Sequence, residues 1–302
     1  MEVAHITSEK LKKILAFNKK NEKEIQKRVQ EFYDENHIKP GIRDIITFTK
    51  TMIAGNNVEI LQLPLKDKEI GALYHEINGK KYIVLNTSLN LANNNFALAH
   101  ELYHLYFHEK GSSQGDTERY LTTYQDNTED MMANAFAGNI LMPEQEFTEM
   151  YLCVQRGVRQ IEVGNGSTET PEELDILCII ILLMIQFKTT YMSVVVRMSE
   201  LGFLQHSSMG LLEKILKYNS NEFIREIINM VPQLKSSVAE FFYPVRNDDF
   251  KIMYEAAKEN AQKSVDAEIM DESYMDYNLS LLEKMYKKVA VVGNKADDYG
   301  TF

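Results

Sequence analysis

Apolar positions first recur at helical spacing, with Leu11, Ile14, Leu15, Ile25, Val29 and Phe32 lying on one face of a stretch from about Ser8 to Asn36. This predicts a long amphipathic helix with Ser8 as its cap, broken by Pro40-Gly41. The period then shortens. Val58 to Leu65, Glu69 to Ile77 and Lys81 to Asn86 read as three short strands. Asn78-Gly79 joins the second to the third as a hairpin, so a small antiparallel sheet is expected. His75 falls inside the second strand, where a lone histidine reads as structural or exposed rather than as a ligand. Helical spacing returns after the loop and cap residues Asn90 to Asn95. A helix runs through Phe96 to His108, a second from about Thr128 to Leu141 ahead of Pro143, and a third from Glu144. Gly164 to Pro171 reads as an exposed loop, with Thr170 and Pro171 opening the next helix. Two apolar helices joined around Phe187 to Tyr191 fill Leu174 to Leu204. Amphipathic helical spacing then continues from about Ser207 to Tyr286, ahead of a tail at residues 293–302.

Composition narrows the class. The chain is 44% hydrophobic and 25% charged, an ordinary globular balance over 302 residues. A net charge of −11 argues against direct nucleic-acid binding, which needs a basic surface. The lysine-rich stretch at residues 10–28 is interleaved with Glu22 and Glu24 and reads as a solvated helix face. Cys153 and Cys178 are too few for a disulfide framework and read as two buried thiols in a reducing compartment. The N-terminus lacks the apolar segment of a secretory signal. The longest apolar run, Ile176 to Ile185, is about half of the roughly 20 residues that cross a bilayer. A cytoplasmic protein without membrane contact is the expectation.

The chemistry concentrates in FALAHELYHLYFH, Phe96 to His108. His100-Glu101-Leu102-Tyr103-His104 is an HExxH sequence. Residues four apart on a helix lie one above the other, so both imidazoles can reach one tetrahedral Zn²⁺ with Glu101 beside it as general base. A third ligand must come from elsewhere, because Phe107 and Lys110 occupy the positions where HExxHxxGxxH would require Gly and His. The pair Glu129-Asp130 opens the next helix. Asp130 shares a face with the small residues Ala133 and Ala137, which favours it, and Glu129 remains the alternative. His108, one turn beyond His104, reads either as a residue that orients a ligand or steadies an oxyanion, or as a helix-end histidine at the dipole.

Together, FALAHELYH, an acidic residue, and ANAFAGNILMP at Ala133 to Pro143 resemble the ImmA/IrrE family of zinc metallopeptidases. Asn86 and VVVRMSELGF, Val194 to Phe203, are similar to further parts of that family's pattern, so the resemblance covers roughly residues 40 to 204. The resemblance places metal ligands on His100, His104 and Asp130 and the base on Glu101. It carries one departure, since the family usually has glutamate where this chain has Asp130.

The fold so implied is α+β: an N-terminal helix at residues 1–40, a zincin-like core at 41–204 with the small antiparallel sheet against the HExxH helix, and an all-helical C-terminal region at 205–302. The activity implied is that of a cytosolic zinc endopeptidase cleaving or inactivating a helix-turn-helix repressor, in a phage, mobile element or stress response. No helix-turn-helix stands at the N-terminus, so the repressor would be a separate chain, docked by the C-terminal helices. The competing expectation is a regulator that keeps the zinc fold but acts by binding. A general oligopeptidase ranks third.

Overall fold

The structure is a computed structural model that describes residues 6–42, 44–52, 58–77, 79–107, 128–158, 171–204, 209–218 and 244–291. Helix α1 (Ser8–Glu35) opens the chain. Its cap is Thr7 rather than Ser8, because the Thr7 side chain accepts from the Lys10 N–H. The apolar stripe is buried at Leu11, Ile14, Ile25, Val29 and Phe32, while Glu9–Lys13, Glu24–Arg28 and Lys27–Glu31 ion pairs run along the solvent side. The basic stretch is therefore an exposed helix face with its counter-charges one turn away. Short α2 (Ile45–Met52) follows.

Strands β1 (Val58–Leu63), β2 (Ala72–Ile77) and β3 (Lys80–Asn86) form one sheet in the order β1-β3-β2. The β2–β3 pair is the expected antiparallel hairpin, turning at Gly79 with φ of 76°. The sheet is nevertheless mixed rather than antiparallel throughout, since β1 runs parallel to β3. Residues 64–71 cross the end of β3, which leaves β3 in the centre with Ile83 and Leu85 fully buried. The side chain of Asn86 holds that crossing. Its Nδ2 donates to the carbonyls of Asp67 and Ile70 (both 2.8 Å), and its Oδ1 accepts from the N–H groups of Leu65 and Ser88. The Asn86 carbonyl in turn accepts from Asn94 Nδ2 at the start of the next helix.

Helices α3 (Leu91–Phe107), α4 (Thr128–Leu141) and α5 (Glu144–Val158) carry the chain across the sheet, with α3 packed on β2, β3 and α4. Phe32 of α1 is the aromatic hub. Its ring meets Phe48, Tyr106 and Phe136 edge-on at 5.2 to 5.9 Å, tying α1 to α2, α3 and α4. Helices α6 (Pro171–Phe187) and α7 (Tyr191–Glu200) complete the core, bent 108° from each other. Among the described residues no single helix is long and apolar enough to cross a membrane. Buried Arg197 of α7 donates from Nε to the Met142 carbonyl just past α4 and from a terminal nitrogen to Glu200 (3.0 Å each). Of the two cysteines, Cys178 is buried, whereas Cys153 is exposed on the outer face of α5, contrary to the expectation of two buried thiols.

After α8 (Met209–Lys217), residues 244–249 run along the outer edge of the sheet. The Arg246 N–H donates to the Thr87 carbonyl, and the Asp249 N–H donates to the Gln62 carbonyl in β1. A hairpin of α9 (Phe250–Asp266) and α10 (Glu272–Val289) follows, and Leu65 and Ala290 form a single bridge at its end. The loop at 164–170, with Thr170, and the apolar residues Phe223 to Met230 fall outside the described residues.

Candidate metal centre

Helix α3 begins where Asn90 caps it, its Oδ1 accepting from the Asn93 N–H at 3.0 Å. The helix then sinks into the protein, because Leu98, Ala99 and Leu102 are fully buried around it. His100 and Glu101 are consequently sealed from solvent and His104 nearly so. Helix α4 approaches through the fully buried Ala133 and Ala137, whose small side chains let Asp130, one turn earlier, come down onto the histidines.

The two Nε2 atoms of His100 and His104 lie 3.0 Å apart, and an Asp130 carboxylate oxygen is 4.0 Å from His104 Nε2. One ligand atom from each of the three residues lies within 4.8 Å of the others. Ligands on a tetrahedral ion at about 2.0–2.1 Å stand roughly 3.3 Å apart, so little movement is required to enclose a cation. The outer nitrogen of His100 supports the same role. Nδ1 lies 3.0 Å from the Asn134 carbonyl oxygen, an acceptor, so Nδ1 carries the proton and the Nε2 lone pair faces the other two ligands. Burial pushes the His100 pKa down to about 4, against smaller upward pulls from the Asn134 hydrogen bond and the Asp130 charge. A neutral imidazole is the form that binds metal. The group of two imidazoles and one carboxylate therefore fits a divalent metal ion.

His100, Glu101, His104 and Asp130 are thus brought together. Glu129 sits elsewhere. Its carboxylate is 3.7 Å from Nδ1 of His104, the nitrogen turned away from the cluster, and its side chain is 37% exposed against 6% for Asp130. His108 lies outside the described residues, and His75 is exposed on β2. Tyr103 and Tyr106 pack, the first against Phe107 and Phe136, the second donating to Asn36 Oδ1 at 2.8 Å.

Two neighbours of the cluster were not singled out in the sequence. Asn134 stood within the ANAFAG segment, and its signal was position: four residues after Asp130, it occupies the same helix face. Tyr74 on β2 gave no local signal. Its hydroxyl pKa is pushed up to about 12 by burial, then by Glu76, and lastly by the charge of Glu101, and its strand packs on the helix that carries Glu101.

Residues 55–161 match the Peptidase_M78 family model, described as an IrrE N-terminal-like domain. "Uncharacterized immunity region protein 2" of Bacillus phage phi105 is 34% identical over 109 residues, a match covering 34% of this chain and 65% of that protein. A solved structure, "Mycobacterium tuberculosis transcriptional regulator", overlaps 64% of this chain and 52% of its own at 16% identity. Its TM-score of 0.38 is too low to carry a fold argument. Residues 55–161, which hold the sheet, α3, α4 and α5, are thus the part of the chain that is similar to the Peptidase_M78 family of IrrE-like domains.

Proposed function

We propose that the protein is a zinc-dependent endopeptidase that inactivates a helix-turn-helix repressor. The observation that carries this reading is the convergence of His100, His104 and Asp130 around one point, with Glu101 buried beside them on the same helix. The fit of the donor set to a divalent ion, the metallopeptidase family and a relative named for a phage immunity region all support it.

In this reading His100, His104 and Asp130 hold the ion, and Asn134 and Glu129 stand behind the two imidazoles as orienting groups. Zn²⁺ held there supplies Lewis acidity that makes water nucleophilic near neutral pH. Glu101 takes a proton from the attacking water and hands it to the departing amine. Tyr74, on the strand that packs against α3, is the candidate donor to the developing oxyanion. Strand β2 packs against α3, and its outer edge pairs with no other strand among the described residues, so an extended substrate segment has a ladder to join there.

The test is incubation of the purified, zinc-loaded protein with the helix-turn-helix protein encoded beside it. A discrete cut, absent with Glu101→Gln, is expected; a repressor left whole with every divalent metal tried counts against peptidase action. The second reading, a regulator acting by binding, is favoured by Asp130 in place of the family's usual glutamate. It gains if Glu101→Gln retains full biological activity.

A further inference from the structure

Helix α10 carries two apolar stripes. Met275 and Leu279 turn inward and are buried, and Tyr286 stacks on Phe250 of α9 with ring centroids 3.7 Å apart. The other stripe faces solvent: Tyr274, Tyr277, Leu281, Met285 and Val289 are 41–65% exposed. Among the large hydrophobic side chains described, Leu152, Ile252 and Ile269 share that condition, the last in the bend just before α10. A helix with apolar residues on two sides is built to be covered on both. Among the described residues, in-chain packing uses one side only.

We propose that a second copy of this chain covers the outer stripe, with the two α10 helices packed antiparallel about a two-fold axis. Sequence positions along the stripe carry the argument. A two-fold near residue 279 sets Tyr274 opposite Met285 of the second copy and Tyr277 opposite Leu281, to within one residue. Four of the five exposed side chains on the helix then find apolar partners in one self-complementary arrangement. Charge selects the same direction. Exposed Glu268, Asp271 and Glu272 lie at one end of α10 and exposed Lys284, Lys287 and Lys288 at the other. Antiparallel pairing brings the acidic end onto the basic end, with Asp271 opposite Lys288, whereas parallel pairing would set like against like. The helix dipoles add to this preference. The stripe is about 23 Å long at 1.5 Å per residue and one helix wide, less than the roughly 800 Å² per partner of a standard stable interface. The association is therefore concentration-dependent, in roughly the micromolar range.

Sedimentation velocity of the full chain between about 1 and 100 µM tests it, with far-UV circular dichroism verifying that each variant is folded. The wild type should pass from monomer to dimer across that range, and Leu281→Glu should weaken association by roughly tenfold or more. Lys288→Glu and Asp271→Lys should each weaken it, and the two combined in one chain should restore it to within about threefold of wild type. A wild-type chain that stays monomeric at every concentration overturns the proposal. So does a dimer indifferent to Leu281→Glu, or a charge-swapped double variant that is no better than the singles.

Discussion

His100 and Asn134 sit on different helices, yet the Nδ1 proton of one points at the amide oxygen of the other across 3.0 Å. That bond fixes which imidazole nitrogen faces the metal cluster. Asn134→Ala is expected to leave the fold intact and to weaken zinc binding by about 10- to 100-fold, read by competition with a chromogenic chelator. Asn134→Asp keeps an acceptor at the same place and should recover most of that loss. Equal affinity in Asn134→Ala and wild type would show that the bond orients nothing.

Asp130 and Glu129 are adjacent but serve different nitrogens of the site, so single alanine substitutions separate them. Asp130→Ala should abolish stoichiometric zinc in metal analysis, because it removes the carboxylate nearest Nε2 of His104. Glu129→Ala should retain zinc with an affinity within roughly tenfold of wild type. The reverse pattern would move the third ligand to Glu129.

Arg197 is expected to be the costliest single surface-to-core tie. Arg197→Ala strips a donor from the Met142 carbonyl and a counter-charge from Glu200, a carboxylate that also accepts from Asn18 at 2.6 Å. Urea denaturation should register a loss of roughly 2–4 kcal/mol, and Arg197→Lys should recover only part, since one ammonium cannot span both partners.

Asp44 caps α2, its two carboxylate oxygens accepting from the N–H and hydroxyl of Thr47 at 3.0 and 2.9 Å. The Thr47 N–H, foremost, holds the Asp44 pKa below its ordinary 3.8. A carboxylate depressed in the folded state stabilises fully above its unfolded pKa and loses that contribution as pH falls through the folded value. Asp44→Ala should thus cost about 1 kcal/mol near neutral pH, with the gap in Tm between variant and wild type narrowing only below about pH 4. A gap that closes already between pH 6 and 5 would assign the effect to another group.

Local patterns reached a good part of this molecule. The helix from Thr128 to Leu141 and the hairpin that turns at Gly79 follow from a small-residue face, the stop at Pro143 and a strong turn pair, all of which act over a few residues. Helix phase put Asp130 on the face of Ala133 and Ala137, and all three are buried in the structure. What local pattern did not carry is pairing at a distance. Three strands with short connections read as a small antiparallel sheet, and nothing in Val58 to Leu63 announced that β1 would run parallel to β3 with β3 between β1 and β2. Tyr74 likewise nears Glu101 only through the packing of β2 on α3. Asn134 was readable, one turn after Asp130, but a ligand's outer nitrogen has no sequence mark of its own.

The amide of Asn86 gives the sheet and the metal helix a common zero point. Its side chain pins the crossing from β1, while its carbonyl receives Asn94, so α3 cannot slide along its axis without breaking a bond to the sheet. His100 follows Asn94 by six residues, about 9 Å of helical rise. The height of the histidines above the strand ends is thereby gauged by a residue that touches no metal ligand. A substitution there is expected to displace His100 and His104 together relative to β2 while leaving their spacing from each other unchanged.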